Sequence, residues 1–111
     1  MKIPNNNQSY VADNKITDYL LSEIHEIGKH KADFFKRFGF DLANIETFKD
    51  SLIQHSIDRD IENTKNTDFG IKYELKCSIN TPDKRNPCIV TVWIIEKGKE
   101  EPKLVTAYPS K

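Results

Sequence analysis

Residues 71–95 read IKYELKCSINTPDKRNPCIVTVWII. The first nine alternate, with Ile71, Tyr73, Leu75, Cys77 and Ile79 set against Lys72, Glu74, Lys76 and Ser78. A period of two marks a strand with one buried face. NTPDKRNP concentrates Asn, Asp and Pro, the residues that favour turns. CIVTVWII is rich in β-branched residues and reads as a central strand. The stretch therefore predicts an antiparallel hairpin, and the rest of the chain is placed around it.

Downstream, EKGKEEPK is a second turn and LVTAYP a last strand, stopped by Pro109. Upstream, DIENTKNTDFG reads as a polar edge strand ending at Phe69-Gly70. Before Arg59 the period becomes helical. Ile16, Tyr19, Leu20 and Ile24 fall on one helix face, with Asp13 or Asn14 as the cap. SEIHEIG, residues 22–28, either prolongs that helix or forms a loop. A second helix is expected from about His30 to Phe38, where Phe34, Phe35 and Phe38 share a face and Gly39 ends it. A third runs from Leu42 or Asn44 to Ile57, with Ile45, Phe48, Leu52 and His55 inward and Lys49 and Asp50 in solvent. The expected architecture is α+β: about three N-terminal helices packed on one face of a four-stranded antiparallel meander. The 111 residues suit one domain, with an extended, partly mobile lead (1–12), a helical part (13–57) and a sheet (58–109).

Six Phe, four Tyr and one Trp supply bulky core material. Seventeen basic residues balance seventeen acidic ones, so net charge does not select a polyanion partner. The N-terminus lacks the apolar run of a signal peptide, and no stretch approaches the ~18 apolar residues of a membrane span. The expectation is a cytoplasmic protein with no membrane partner, in which Cys77 and Cys88 are reduced core residues rather than a disulfide. No CxxC or His/Cys ligand spacing points to zinc, and no cofactor is expected.

Strand parity assigns the two faces. An odd-sum register in the first hairpin puts Tyr73, Leu75, Cys77 and Ile79 on one apolar face with Cys88, Val90, Val92 and Ile94. Lys72, Glu74, Lys76, Thr91 and Trp93 then share the other face. An odd sum in the last hairpin adds Leu104, Thr106 and Tyr108 there and sends Val105 and Ala107 to the core. A slip of one residue inverts the assignment. The helix-free face so defined is either a plain solvated surface or a platform for phosphates and bases.

GKHKADFFKRFGF, residues 28–40, adds a histidine between two lysines at a helix start. The positive end of the helix dipole and the flanking Lys29 and Lys31 keep His30 neutral and able to accept a proton. Beside a phosphate, such an imidazole suits acid–base cleavage of RNA, in which the 2′-hydroxyl is the nucleophile and no metal is needed. The plainer reading leaves His30 as a solvated helix-start residue. His25 and His55 read as structural.

GKHKADFFKRFGF, GIKYEL and VTVWIIEKGKEEPKLVTAYP, in this order, resemble a family of short bacterial domains of unknown function. Its members read GGHKAxFFxxLGF, GxKY, VRTVWII and LVTAYP. The match runs from about Lys15 to Pro109, with Lys29 replacing the second glycine. The layout is also similar, more distantly, to toxin ribonucleases of the barnase, EndoU, colicin D and RelE type. That second resemblance implies His30 as general base or acid and Lys72 stabilising the phosphorane charge. Thr106 and Tyr108 would hold phosphate or stack a base, with Lys31, Lys76, Thr91 and Trp93 beside them.

Two other readings compete. Glu74-Leu75-Lys76, with Asp68 or Asp60 upstream, matches the short E-x-K pattern of Mg-dependent nucleases. A non-enzymatic module (an immunity protein, antitoxin or adaptor) would use the same face to bind a cognate toxin or immunity protein instead of RNA. Zero net charge favours that module, since free ribonuclease toxins tend to be basic.

Overall fold

A computed structural model describes residues 1–21 and 28–110, with residues 28–30 described by backbone alone. The helices are α1 (Asp13–Lys15, continued by a π-helical stretch, Ile16–Leu20), α2 (Gly28–Arg37) and α3 (Ile45–Asp58). The strands are β1 (Ile61–Thr67), β2 (Gly70–Ser78), β3 (Cys88–Glu96) and β4 (Lys103–Pro109). They form one antiparallel sheet in the order β1-β2-β3-β4, as the alternation and turn residues predict. Residues 22–27, where the sequence leaves helix and loop open, lie outside the described part.

α2 ends as its glycine dictates. Gly39 takes φ +102°. Its N–H donates to the Lys36 carbonyl at 3.0 Å, and the Phe40 N–H donates to the Phe35 carbonyl at 3.3 Å. This pair of bonds is the Schellman closure of a helix, and the Phe35 and Phe40 rings supply its hydrophobic contact, 6.3 Å apart. Of the three phenylalanines expected to dock the helix, Phe35 is buried, while Phe34 and Phe38 are half-buried. Phe35 and Phe40 both meet Phe48 of α3, at ring distances of 4.8 and 4.4 Å. Leu52 and His55 follow Phe48 into the interior at helical spacing.

The β2–β3 register is the main departure from expectation. Tyr73 faces Trp93, Leu75 faces Thr91, and Lys72 faces Ile94, so the residue sum is even. Ile89, Thr91 and Trp93 turn inward with Tyr73 and Leu75, and Val92, Ile94 and Val90, the last buried on that side, share the other face with Glu74, Lys72 and Lys76. Thr91 and Trp93, expected on the helix-free face, are each 0% exposed in the core. The physical reason is that β3 is apolar on both faces, so alternation does not choose between them. The loop between the strands is also too long for turn geometry to set the register. Thr91 is tolerated inside because its hydroxyl is satisfied. It accepts the Trp93 Nε1–H at 3.0 Å and lies 3.0 Å from His55 Nδ1.

β4 restores part of the expected pattern. Val92 faces Thr106, Thr91 faces Ala107, and a register shift then pairs Trp93 with Leu104. The sum here is even, not odd, so this departure cancels that of the first hairpin: Thr106 and Tyr108 lie on the outer face and Ala107 inside, while the bulge sends Leu104 to the core. The lead segment, expected to be extended, contains a 3-10 turn at Asn6–Gln8 and is anchored. Ile3 and Val11 are buried, and Tyr10 bonds to Pro102 and Leu104 along β4. No helix among the described residues is long and apolar enough to cross a membrane.

Candidate functional site

α2 and the π-helical part of α1 pack beside β4. Lys31, in the first turn of α2, projects over this sheet edge. Its ammonium donates to the Thr106 hydroxyl at 2.9 Å and to the Tyr19 hydroxyl. It also lies 5.8 Å from the centre of the Tyr108 ring. Tyr19 and Thr106 hydroxyls are 3.4 Å apart. Beside them, Lys15, Asp18, Tyr19, Val105 and Thr106 line an open cleft of about 560 Å³.

The two tyrosines shift in opposite directions. Burial raises the Tyr19 hydroxyl, but the bonds from Lys31 and Thr106 and the charges of Lys31 and Lys15 outweigh it and leave the pKa below the ordinary tyrosine value. Burial, aided by the Glu74 carboxylate, pushes the Tyr108 hydroxyl upward. Tyr19 is thus the more acidic proton donor, and Tyr108 stays a neutral hydroxyl beside a cation.

Around this edge spreads the outer face of the sheet. Its rows follow from the pairings: Lys76, Val90 and Tyr108; Asn63, Glu74, Val92 and Thr106; Lys65, Lys72, Ile94 and Lys103. Lysines outnumber carboxylates here, although the whole chain is neutral. Valine and isoleucine of β3 form an apolar strip between the lysines. Asn63, Lys65, Lys72, Glu74 and Val92 border a small hollow of about 90 Å³.

Of the residues predicted for the site, the structure brings Lys31, Thr106 and Tyr108 together. Lys72 and Lys76 share their face but sit on β2, two strand spacings from β4, or about 10 Å. Thr91 and Trp93 do not belong to it. The His30 backbone lies in the same helical turn as Lys31, while its side chain and His25 lie outside the described part. Tyr19 was not expected here. The helical period placed it on the core face, and no local pattern links it to a lysine twelve residues later. Lys65 reaches this face by its pairing with Lys72, and Lys103 does so only through the bulge in β4.

His55 is structural, as expected. It is 3% exposed. Its Nε2 lies 2.9 Å from the Cys77 carbonyl and its Nδ1 meets Thr91. Since the Cys77 carbonyl can only accept, Nε2 carries the hydrogen of the neutral ring, and the bare Nδ1 accepts from the Thr91 hydroxyl. Burial lowers the His55 pKa from 6.5 to about 4.

Of the acidic residues upstream of the E-x-K stretch, Asp60 is engaged by other charges. The Asp60 carboxylate binds the N-terminal amine at 3.3 Å and Lys2 at 3.2 Å. Among the described residues, no group of three or more His, Cys, Asp or Glu is placed to hold a metal ion.

Helices on one face of a four-stranded meander, with a cationic helix start at the last strand, define an α+β class with a basic outer sheet face. The chain belongs to the domain-of-unknown-function family DUF6883, whose profile matches residues 2–111. No curated protein matches it significantly. Among solved structures it is similar to a chain of a contact-dependent growth inhibition toxin–immunity protein complex from Klebsiella pneumoniae 342. The identity is 16% and the TM-score 0.73, over 96% of this chain and 97% of that one. The likeness is one of fold.

Proposed function

We propose that this is a toxin-like domain that binds and cleaves RNA at the β4 edge. The observation that carries the reading is Lys31, held by Thr106 and Tyr19 where a helix start meets a lysine-lined sheet face. Phosphodiester cleavage through the 2′-hydroxyl needs a proton acceptor, a proton donor and a cation at the phosphate. Lys31 supplies the cation. Tyr19, with its lowered pKa, suits the donor that protonates the leaving oxygen. His30, in the same turn, is the proposed acceptor. Thr106 and Tyr108 orient the phosphate, and Lys72 and Lys76 hold the strand along the face.

Incubation with single-stranded RNA in EDTA tests this. Cleavage that survives chelation, and is lost in His30→Ala and Lys31→Ala, is expected. Cleavage only with Mg²⁺ would move the chemistry to Glu74 and Lys76. RNA left intact, together with tight capture of a toxin chain, would instead make the domain an immunity-like binding module. The fold likeness to one chain of a toxin–immunity complex keeps that second reading open to test.

A further inference from the structure

The two cysteines sit where β2 and β3 leave their hairpin loop. Cys77 faces Ile89 and Ser78 faces Cys88, so the cysteines are one step out of register on neighbouring strands. Regular pleating would send Cys77 inward with Ile89 and Cys88 outward with Ser78, on opposite faces. Cys77 does not follow it. Its φ is +128°, a left-handed value rare for any residue but glycine, and its side chain is exposed although Ile89 beside it is buried. The register sets the two residues at adjacent positions across the ladder, and each thiol shifts the other's acidity. The distorted backbone is held from inside, because His55 Nε2 binds the carbonyl of this same residue. Strain retained at an exposed nucleophile with a second thiol beside it points to use rather than to packing.

We propose that Cys77 and Cys88 are a redox modification site, a dithiol that a hydroperoxide converts to an intramolecular disulfide. Cys77 is the attacking sulfur. Its thiolate takes the terminal oxygen of the peroxide, the O–O bond breaks, and water or an alcohol leaves, giving a sulfenic acid. The Cys88 sulfur then attacks the Cys77 sulfur. The S–S bond forms, the S–O bond breaks, and the hydroxide departs as water with the Cys88 proton. The two sulfurs together lose the two electrons that reduce the peroxide. The division of roles follows the surroundings. Cys88, then Ser78 and Arg59, hold the Cys77 thiol below the usual cysteine value against some desolvation, while burial and the neighbouring Cys77 push Cys88 up. The site is independent of the proposed RNA chemistry.

The test uses the full chain and hydrogen peroxide, read by intact mass and peptide mapping. The wild type is expected to lose two hydrogens and give a Cys77–Cys88 linked peptide, monomeric on a non-reducing gel. Cys88→Ser is expected to stop at a sulfenic acid on Cys77 that dimedone traps. Cys77→Ser is expected to leave Cys88 unmodified at the same dose. Cys77→Gly, whose backbone accepts the positive φ, keeps the test valid if the serine variant does not fold. Oxidation beginning at Cys88, disulfide-linked dimers in place of the internal bond, or a Cys77 no faster to react than in urea-unfolded chain would each overturn the proposal.

Discussion

His55 shows how one buried side chain shapes the pH response of the fold. Its neutral ring fills a chain of bonds from Trp93 through Thr91 to the Cys77 carbonyl. The folded pKa, about 4, lies below the free value of 6.5, so the unfolded chain binds the proton first as pH falls. The contribution is intact above pH 6.5 and is lost on acidification towards pH 4, by about 3 kcal/mol in all. Urea unfolding at stepped pH checks this, and His55→Gln, which has no proton to gain, should flatten the slope. A slope unchanged in that variant would assign the acid sensitivity elsewhere. At the β4 edge, Lys31→Ala removes a bond and a charge that both lower the Tyr19 pKa. The Tyr19 hydroxyl should then titrate at higher pH, read by ultraviolet difference absorbance. Histidine chemistry of this kind was half legible in the sequence. Helical spacing put His55 inside, but its partner Thr91 was assigned to the wrong face, because hydroxyl burial depends on a partner 36 residues away.

At the scale of elements, aromatic packing and one glycine hold the helices to the sheet. Phe48 stacks with Phe40 and meets Phe35, so Phe48→Ala should cost about 3–5 kcal/mol in chemical denaturation, the range for an aromatic cavity. Gly39→Ala meets two penalties. The left-handed backbone costs about 1–2 kcal/mol, and an added Cβ would lie 2.9 Å from Pro82 Cβ. A midpoint shift below that of an exposed control such as Lys84→Ala would show that the Schellman closure is not holding α2. Here the sequence was a good guide, since helix period, the glycine stop and the meander turns are local signals. Register was not local. β3 presents apolar residues on both sides, and the assembled core buries Trp93 rather than Val92.

For the whole molecule, a neutral chain carries a one-sided charge distribution. Lys31, Lys65, Lys72, Lys76 and Lys103 gather on or at the edge of the outer sheet face, around an apolar strip. If RNA lies across that face, affinity must fall with salt, and each lysine that meets a phosphate contributes about 0.7 to the logarithmic slope. Lys65→Ala and Lys72→Ala should each lower the slope by about that amount in fluorescence titrations with single-stranded RNA. Slopes equal to wild type would place the strand elsewhere. The amino-acid sequence alone determined the element types, their order and the antiparallel meander, because period and turn chemistry are carried by near neighbours. Tertiary structure alone decided which face of β3 is wet, that Tyr19 joins Lys31, and that Cys77 leaves the core beside Cys88. Each of those depends on contacts between distant segments, where packing of one side chain settles the position of another.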